Sequence, residues 1–306
     1  MLSSTVRRAT LILVAAVAPI AAQKAKTVPK PAPAFSATTS VEAVLGRKGA
    51  QQPDGALKFA FPRSDLAVTV AGVPVKAGFA LGSWLGFADV GKGMAMVMGD
   101  LVLTEDEVEN VMQMLQKGGI EQTALHHHIF NENPRVLYMH IRGHGNPAAL
   151  AAAIRDGLEQ SHTPLGQPAA PSPVPIDIDT AGVARAIGYP GKANGAVFQF
   201  TVPRTETIRE SGRVIPVSLG IATAINFQST GGGKAAITGD FVLRGSEVNP
   251  VIRALRENGI QVTSLHSHLL DEEPRIYFMH FWANDDAVTL AKGLRAALDR
   301  TKSKKP

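Results

Sequence analysis

The sequence predicts an α+β protein made of two duplicated domains, each a mostly antiparallel sheet with a β-α-β-β-α core and helices on one face. Three observations carry this. A shift of 140 residues lays 99–160 on 239–300 without a gap, with 23 identities in 62 positions, so the chain holds an internal duplication. Pro- and Ala-rich stretches at 23–38 and 163–176 set off two halves of similar length. Within each half, strand-like runs lead into a segment of helical period, a His-rich hairpin and a second helix.

The elements follow in chain order. Residues 1–22 read as a secretory signal, with Arg7 and Arg8 before an apolar run and Ala21 and Ala22 at its end. That run is too short to span a bilayer comfortably. The expected location is therefore outside the cytoplasm, periplasmic or secreted, with no stable membrane span once the signal is removed. Residues 23–38 read as a tether, 39–162 as repeat 1, 163–176 as a linker, 177–301 as repeat 2 and 302–306 as a basic tail. In repeat 1, 41–45 reads as a short helical lead ending at Gly46, answered by 183–187 and Gly188. Strands are expected over 57–61, 79–87 and 94–103. Thr104 is the expected N-cap of a helix running to Lys117, with Glu105, Asp106 and Glu107 in its first turn. Val108, Val111, Met112 and Leu115 form its apolar stripe, and Gly118 and Gly119 end it. After the hairpin, Pro147 opens a helix to Leu158.

Composition excludes several classes. The chain has no cysteine, which rules out disulfides, thiolate nucleophiles, Cys-zinc sites and a lipid anchor on Cys. The net charge of +5 is inflated by Arg7, Arg8 and the lysines at 302, 304 and 305, so it is no nucleic-acid footprint. Walker, nucleophile-elbow, H-E-x-x-H and dinucleotide motifs are all missing. Gly91-Lys92-Gly93 and Gly231-Gly232-Gly233 read as hairpin turns.

The chemistry-bearing feature is the hairpin, written twice. Leu125-His126-His127-His128 is followed by a polar loop with Pro134-Arg135 and a run ending Met139-His140. Leu265-His266-Ser267-His268, Pro274-Arg275 and Met279-His280 repeat it. Side chains two apart on a strand share a face, so His126 and His128 point the same way. If Phe130 pairs with Val136, His126 falls opposite His140 and the three imidazoles share one face. A one-residue slip would turn His140 away. His266, His268 and His280 follow the same register. Three neutral imidazoles suit a divalent ion, zinc foremost, with a fourth position open to water or substrate. Glu132 and Glu272 are candidates for a fourth ligand or a catalytic base. Tyr138, Phe278, Arg135 and Arg275 are candidates for substrate binding. Met139 and Met279 fall on the opposite face and read as core. Asp100 and Asp240 read as turn formers at strand ends. His127 and His144 read as accessory, His162 as a solvated linker residue. Three functional readings stand: a metal site that extends to hydrolysis, a metal-free groove for a sugar, a peptide or another cell-envelope ligand, and histidines that only pack.

The run GDLVLTEDEVENVMQMLQKGGIEQTALHHHIFNENPRVLYMHIRGHG resembles the LppY/LpqO family, a domain-of-unknown-function family of exported bacterial proteins. GDFVLRGSEVNPVIRALRENGIQVTSLHSHLLDEEPRIYFMHFWAND resembles it too. The L-H-x-H tract, the Pro-Arg step and the Met-His ending carry the resemblance, at His126, His128, Pro134, Arg135, Met139, His140 and their counterparts. It implies export and a two-repeat architecture, and it implies no particular activity. The lipobox Cys of the family's lipoprotein members is missing here.

Overall fold

The computed structural model describes residues 32–167 and 174–306. The expected signal, most of the tether and the middle of the linker lie outside the described residues. Repeat 1 runs α1 (Thr38–Leu45), β1 (Ala50–Gln51), β2 (Leu57–Pro62), β3 (Thr69–Val70), β4 (Val73–Pro74), α2 (Ala77–Ala80), β5 (Gly82–Gly91), β6 (Met94–Thr104), α3 (Val108–Lys117), β7 (Glu121–His126), β8 (Glu132–Asn133), β9 (Val136–Gly145) and α4 (Pro147–Leu158). Repeat 2 runs α5 (Thr180–Ile187), β10 (Lys192–Asn194), β11 (Val197–Pro203), β12 (Arg209–Glu210), β13 (Arg213–Val214), β14 (Ala222–Gly231), β15 (Lys234–Leu243), α6 (Gly245–Glu257), β16 (Gln261–His266), β17 (Glu272–Glu273), β18 (Tyr277–Asp286) and α7 (Ala287–Leu298).

Each repeat is α+β with an antiparallel sheet, ordered β1-β2-β5-β6-β9-β7 in one and β10-β11-β14-β15-β18-β16 in the other. Strand alternation sets the two faces. Leu57, Phe59, Phe61, Phe87, Val97, Leu101 and Met139 point to one face, where Val41, Val111, Leu115, Ile154 and Leu158 of the helices cover them. Repeat 2 builds the same helix-side core around Phe200, Phe227, Phe241 and Met279. The other faces of the two sheets pack on each other. Met96 and Met98 join Leu219, Ile221, Val242 and Phe278, and Val102 and Tyr138 join Val197, Ala236 and Trp282. The result is four layers, helix, sheet, sheet and helix, with the histidine faces turned inward.

Local chemistry explains the boundaries. Gly46 and Gly188 take left-handed backbone (φ 68° and 78°) and close α1 and α5. Asn146 caps α4 by accepting from the Ala149 N–H, and Pro147 needs no hydrogen bond there. The expected cap at Thr104 is a correction. Residues 105–107 form a turn, and α3 begins at Val108. Glu107 takes the terminus instead, accepting from the Thr104 N–H at 2.9 Å while Arg63 grips it at 2.7 and 3.0 Å. Glu247 does the same with Arg204 and the Arg244 N–H. A guanidinium with 0% of its side chain exposed demands a carboxylate, which outcompetes a hydroxyl cap.

Other expectations shift at their edges. Phe79 sits in α2, so that strand starts at Gly82. Phe35, expected in the tether, is buried with its ring 6.0 Å from Phe87. The tail is not free either: the Lys302 N–H donates to Glu247, and the Lys304 N–H donates to the Pro203 carbonyl. His162 is exposed, but its backbone N–H and ring both meet Glu107. No helix among the described residues is long and apolar enough to cross a membrane.

Candidate metal centre

The hairpin departs from the expected register by two residues. β7 ends at His126, which pairs with Tyr138, while Ala124 lies opposite His140 and a bulge falls between Gln122 and Ala124. Phe130 does not pair with Val136. It is half exposed, and the chain beyond His126 leaves the sheet so that β8 can pair with β3. An even shift preserves the face, so His126, Tyr138 and His140 still point inward. β16 and β18 repeat the arrangement, with Ser264 opposite His280 and His266 opposite Phe278.

The sequence left open whether the two triads stand apart or converge. The sheets face each other, and the six imidazoles merge into one cluster. His126 and His266 lie 3.7 Å apart between ring centroids, His128 and His280 3.7 Å, and His140 and His268 3.5 Å. Each pair spans the repeats, and exchanging repeats maps the set onto itself, as a pseudo-twofold axis requires. Two groups bring ligand atoms within 4.8 Å of one another: His126, His128 and His140, and His126, His266, His268 and His280. His126 belongs to both.

The cluster is poorly satisfied. Both nitrogens of His126 and Nε2 of His128, His140 and His280 are buried without a hydrogen-bond partner. His280 donates from Nδ1 to the Gly239 carbonyl at 2.9 Å, which leaves its Nε2 as a bare lone pair. His266 and His268 bring their Nε2 atoms to 2.8 Å. Burial, helped by His266 and His127, pushes His126 down to about 3, and burial pushes His266 down to about 4. Burial and neighbouring imidazoles hold His128, His140, His268 and His280 well below the usual range. All six are neutral near pH 7, the state a metal requires of imidazole.

Two acids missing from the expected site belong to it. Asp100 and Asp240 lie inside β6 and β15, directly opposite His140 and His280, and not at strand ends. Asp100 Oδ1 is 3.6 Å from His140 Nε2, and Asp240 Oδ2 is 3.9 Å from His268 Nδ1. Burial raises Asp100 to about 8, and burial with the charge of Asp100 raises Asp240 well above its usual value. Each has an oxygen without a partner. The signal was legible: a lone acid at an inward-facing position of an otherwise apolar strand.

The remaining expected residues divide. Tyr138 and Phe278 are buried and stack on His128 and His268 at 3.3 and 3.6 Å, so they support the imidazoles. Tyr138 also donates its hydroxyl to the Ala80 carbonyl. Glu132 is raised to about 8 by burial, and neither of its oxygens has a partner. Glu272 is occupied by Arg275 and by the Ile276 N–H. Neither glutamate joins a histidine group. Arg275 holds the loop through the Leu270 carbonyl, and Arg135 is exposed, 3.9 Å from Glu105. His127 pins the same loop in repeat 1 through the Val136 carbonyl, and His144 is exposed.

A cleft of ≈ 800 Å³ reaches this centre. Its floor carries Asp100, His128, His140, Asp240, His268 and His280, and exposed Lys76, Gly78 and Asn194 stand at its mouth. Neither Arg135 nor Arg275 lines it.

No curated protein matches the chain. Among solved structures, a trimeric bacterial microcompartment shell protein, PduB, is similar over 91% of this chain and 97% of its own, at 14% identity and a TM-score of 0.20. EtuB from Clostridium kluyveri is similar over 80% of this chain and 87% of its own, at 8% identity and a TM-score of 0.19. The family model described as Domain of Unknown Function (DUF1259) matches residues 39–160 and again 181–300, and the chain belongs to that family as two tandem copies.

Proposed function

We propose that this is an exported, LppY/LpqO-like protein that binds a divalent metal, zinc foremost, in the histidine cluster between its repeats. One observation carries the reading: buried imidazole nitrogens converge from both sheets with no partner. An unsatisfied buried polar atom costs about 1–3 kcal/mol. A cation among them offsets that cost, and the same cation relieves the raised carboxyls of Asp100 and Asp240. The donor set, neutral nitrogen with carboxylate oxygen, suits a borderline ion. His126, His128 and His140 hold one side, and His266, His268 and His280 hold the other. Export rests on the N-terminal pattern of Arg7, Arg8 and the apolar run.

Hydrolysis is the reaction class that follows, because the cleft brings a ligand to the same residues. A bound divalent ion supplies Lewis acidity. Asp100, 3.6 Å from His140 with one oxygen unpartnered, faces the cleft, and beside a cation its carboxylate would accept a proton from a bound water. The rival reading is a cell-envelope module that binds a sugar or peptide without chemistry. Trp84, Asn194, Gln199 and Asn226 on the cleft wall favour it.

The test is metal content of the purified protein beside a His126→Ala/His266→Ala double variant. One or two zinc-like ions per chain, lost in the variant, support the reading. No metal as isolated, and none taken up on dialysis against Zn²⁺, Cu²⁺ or Mn²⁺, sinks it.

A further inference from the structure

The floor of the cleft is nearly symmetric between repeats, and its wall is not. On the inward face of repeat 1 one row across the sheet reads Ala60, Trp84, Asp100, His140. The matching row of repeat 2 reads Thr201, Ala224, Asp240, His280. Trp84 has no aromatic counterpart. Lys58, beside it on β2, is answered by Gln199, which is occupied by Asn226 and the Gly78 carbonyl.

Lys58 and Trp84 form a built pair. The ammonium lies 4.2 Å from the Trp84 ring centroid. The indole lies against Gly220, where a Cβ would come within 2.9 Å of it, so the backbone itself makes room for the ring. Asp54, the acid whose charge acts on Lys58, is engaged elsewhere: it accepts from the Ser218 N–H at 2.8 Å and the Ser218 hydroxyl at 2.9 Å. Lys58 has no ion pair among the described residues. Its amine is a half-buried cation facing a cleft, held by a π face and closed into no ion pair.

We propose that Lys58 and Trp84 fix the ligand class of the cleft: a molecule with a carboxylate or phosphate for Lys58 and a flat apolar body for Trp84, its far end directed at Asp100 and His140. The anion supplies the direct ion pair that Asp54, held by Ser218, does not make with Lys58. Trp84 stands one strand from Asp100 and two from His140, so a ligand seated on the indole has the metal centre within reach. Burial lowers Lys58 to about 8, opposed by the charge of Asp54, which leaves it mostly protonated near neutrality. The assignment rests on the ligand role proposed for the cleft and not on the metal.

The test uses the full chain carrying Trp282→Phe, which leaves Trp84 as its single indole because the sequence has two. Benzoate, phenyl phosphate and benzyl alcohol are titrated while Trp84 emission is read, before and after dialysis against a chelator. Both arms of the proposal expect saturable quenching by an anion, and the tighter of the two names the source of charge. Benzyl alcohol binds at least ~10-fold more weakly. Lys58→Gln weakens the anion at least ~10-fold, leaves the alcohol and the metal content unchanged, and Lys58→Arg restores binding. Two outcomes overturn the proposal: no saturable quenching by either anion, or equal anion affinity in Lys58→Gln. In the second case, loss of binding in His126→Ala/His266→Ala assigns the anion to the metal centre alone.

Discussion

Repeat 1 and repeat 2 share a scaffold and differ at the cleft. Both place an arginine, Arg63 or Arg204, against a glutamate at the entry to the central helix. Both place three histidines and an aspartate on the inward face. Yet Trp84 and Lys58 of one copy correspond to Ala224 and Gln199 of the other, and the partnerless Glu132 answers a Glu272 tied to its own loop. What the copies share supports folding and the shared centre. Of what they do not share, Lys58 and Trp84 line the cleft, so the duplication yields a symmetric floor under an asymmetric wall.

The largest expected effect tests the shared scaffold. Removing one member of a buried ion pair costs about 3–5 kcal/mol. Arg63→Ala and Arg204→Ala should therefore lose similar stability in urea unfolding, and a loss in one repeat only would break the equivalence. Acid extends this test. Burial raises the Glu107 carboxyl, and the Arg63 fork with the His162 and Thr104 N–H groups overcomes it, holding the group at about 2. A depressed carboxyl stabilises the fold above its unfolded value of ~4.3 and loses that contribution as pH falls toward 2. The histidines act earlier. Their folded values lie below ~6.5, so the unfolded chain takes up protons there that the fold refuses. The raised carboxyls of Asp100, Asp240 and Glu132 act with the opposite sign, but six imidazoles outnumber three acids, and metal-free protein should weaken between about pH 6.5 and 4. A flat stability curve between pH 6.5 and 4, measured by denaturant melts, would contradict neutral buried imidazoles.

The next effect separates paired histidines. His126 belongs to both ligand groups and His266 to one. His126→Ala should cost more than ~100-fold in zinc affinity, since even partners behind a ligand cost about 10–100-fold. His266→Ala should cost less. Equal losses in a competition titration would make the axis strict. A smaller contrast follows at the glutamates. Glu272→Ala strands the Ile276 N–H and should cost about 1–3 kcal/mol. Glu132→Gln removes no partner and should change stability by less than ~1 kcal/mol. The smallest effect is Arg135→Ala. Its exposed contact with Glu105 should change stability by under ~0.5 kcal/mol and leave metal content untouched.

Much of the site was legible in the chain. While His128 lies past the end of β7 and reaches the cluster through the course of the loop, the parity of His126 and His140 survives because strand alternation is local and a shift of two residues does not disturb it. Met139 and Met279 fall in the helix-side cores for the same reason. The register was not legible. It depends on a bulge at 122–124 and on the pairing of Glu132 and Asn133 with β3, two contacts with no mark in the hairpin itself. Asp100 was misplaced because Gly-Asp resembles a turn, while the strand runs on to Thr104 under the packing of Leu101 and Leu103.

The sequence alone determined the duplication and the α+β pattern of each repeat, since periodicity and copy number are written along the chain. Only the tertiary structure decided that the two histidine faces meet. Each sheet has two faces to cover and helices enough for one. The second faces, carrying Met98, Val102, Tyr138 and Phe278, escape water by packing on each other. That burial between distant segments turns two triads into one six-histidine centre, and no local pattern encodes it.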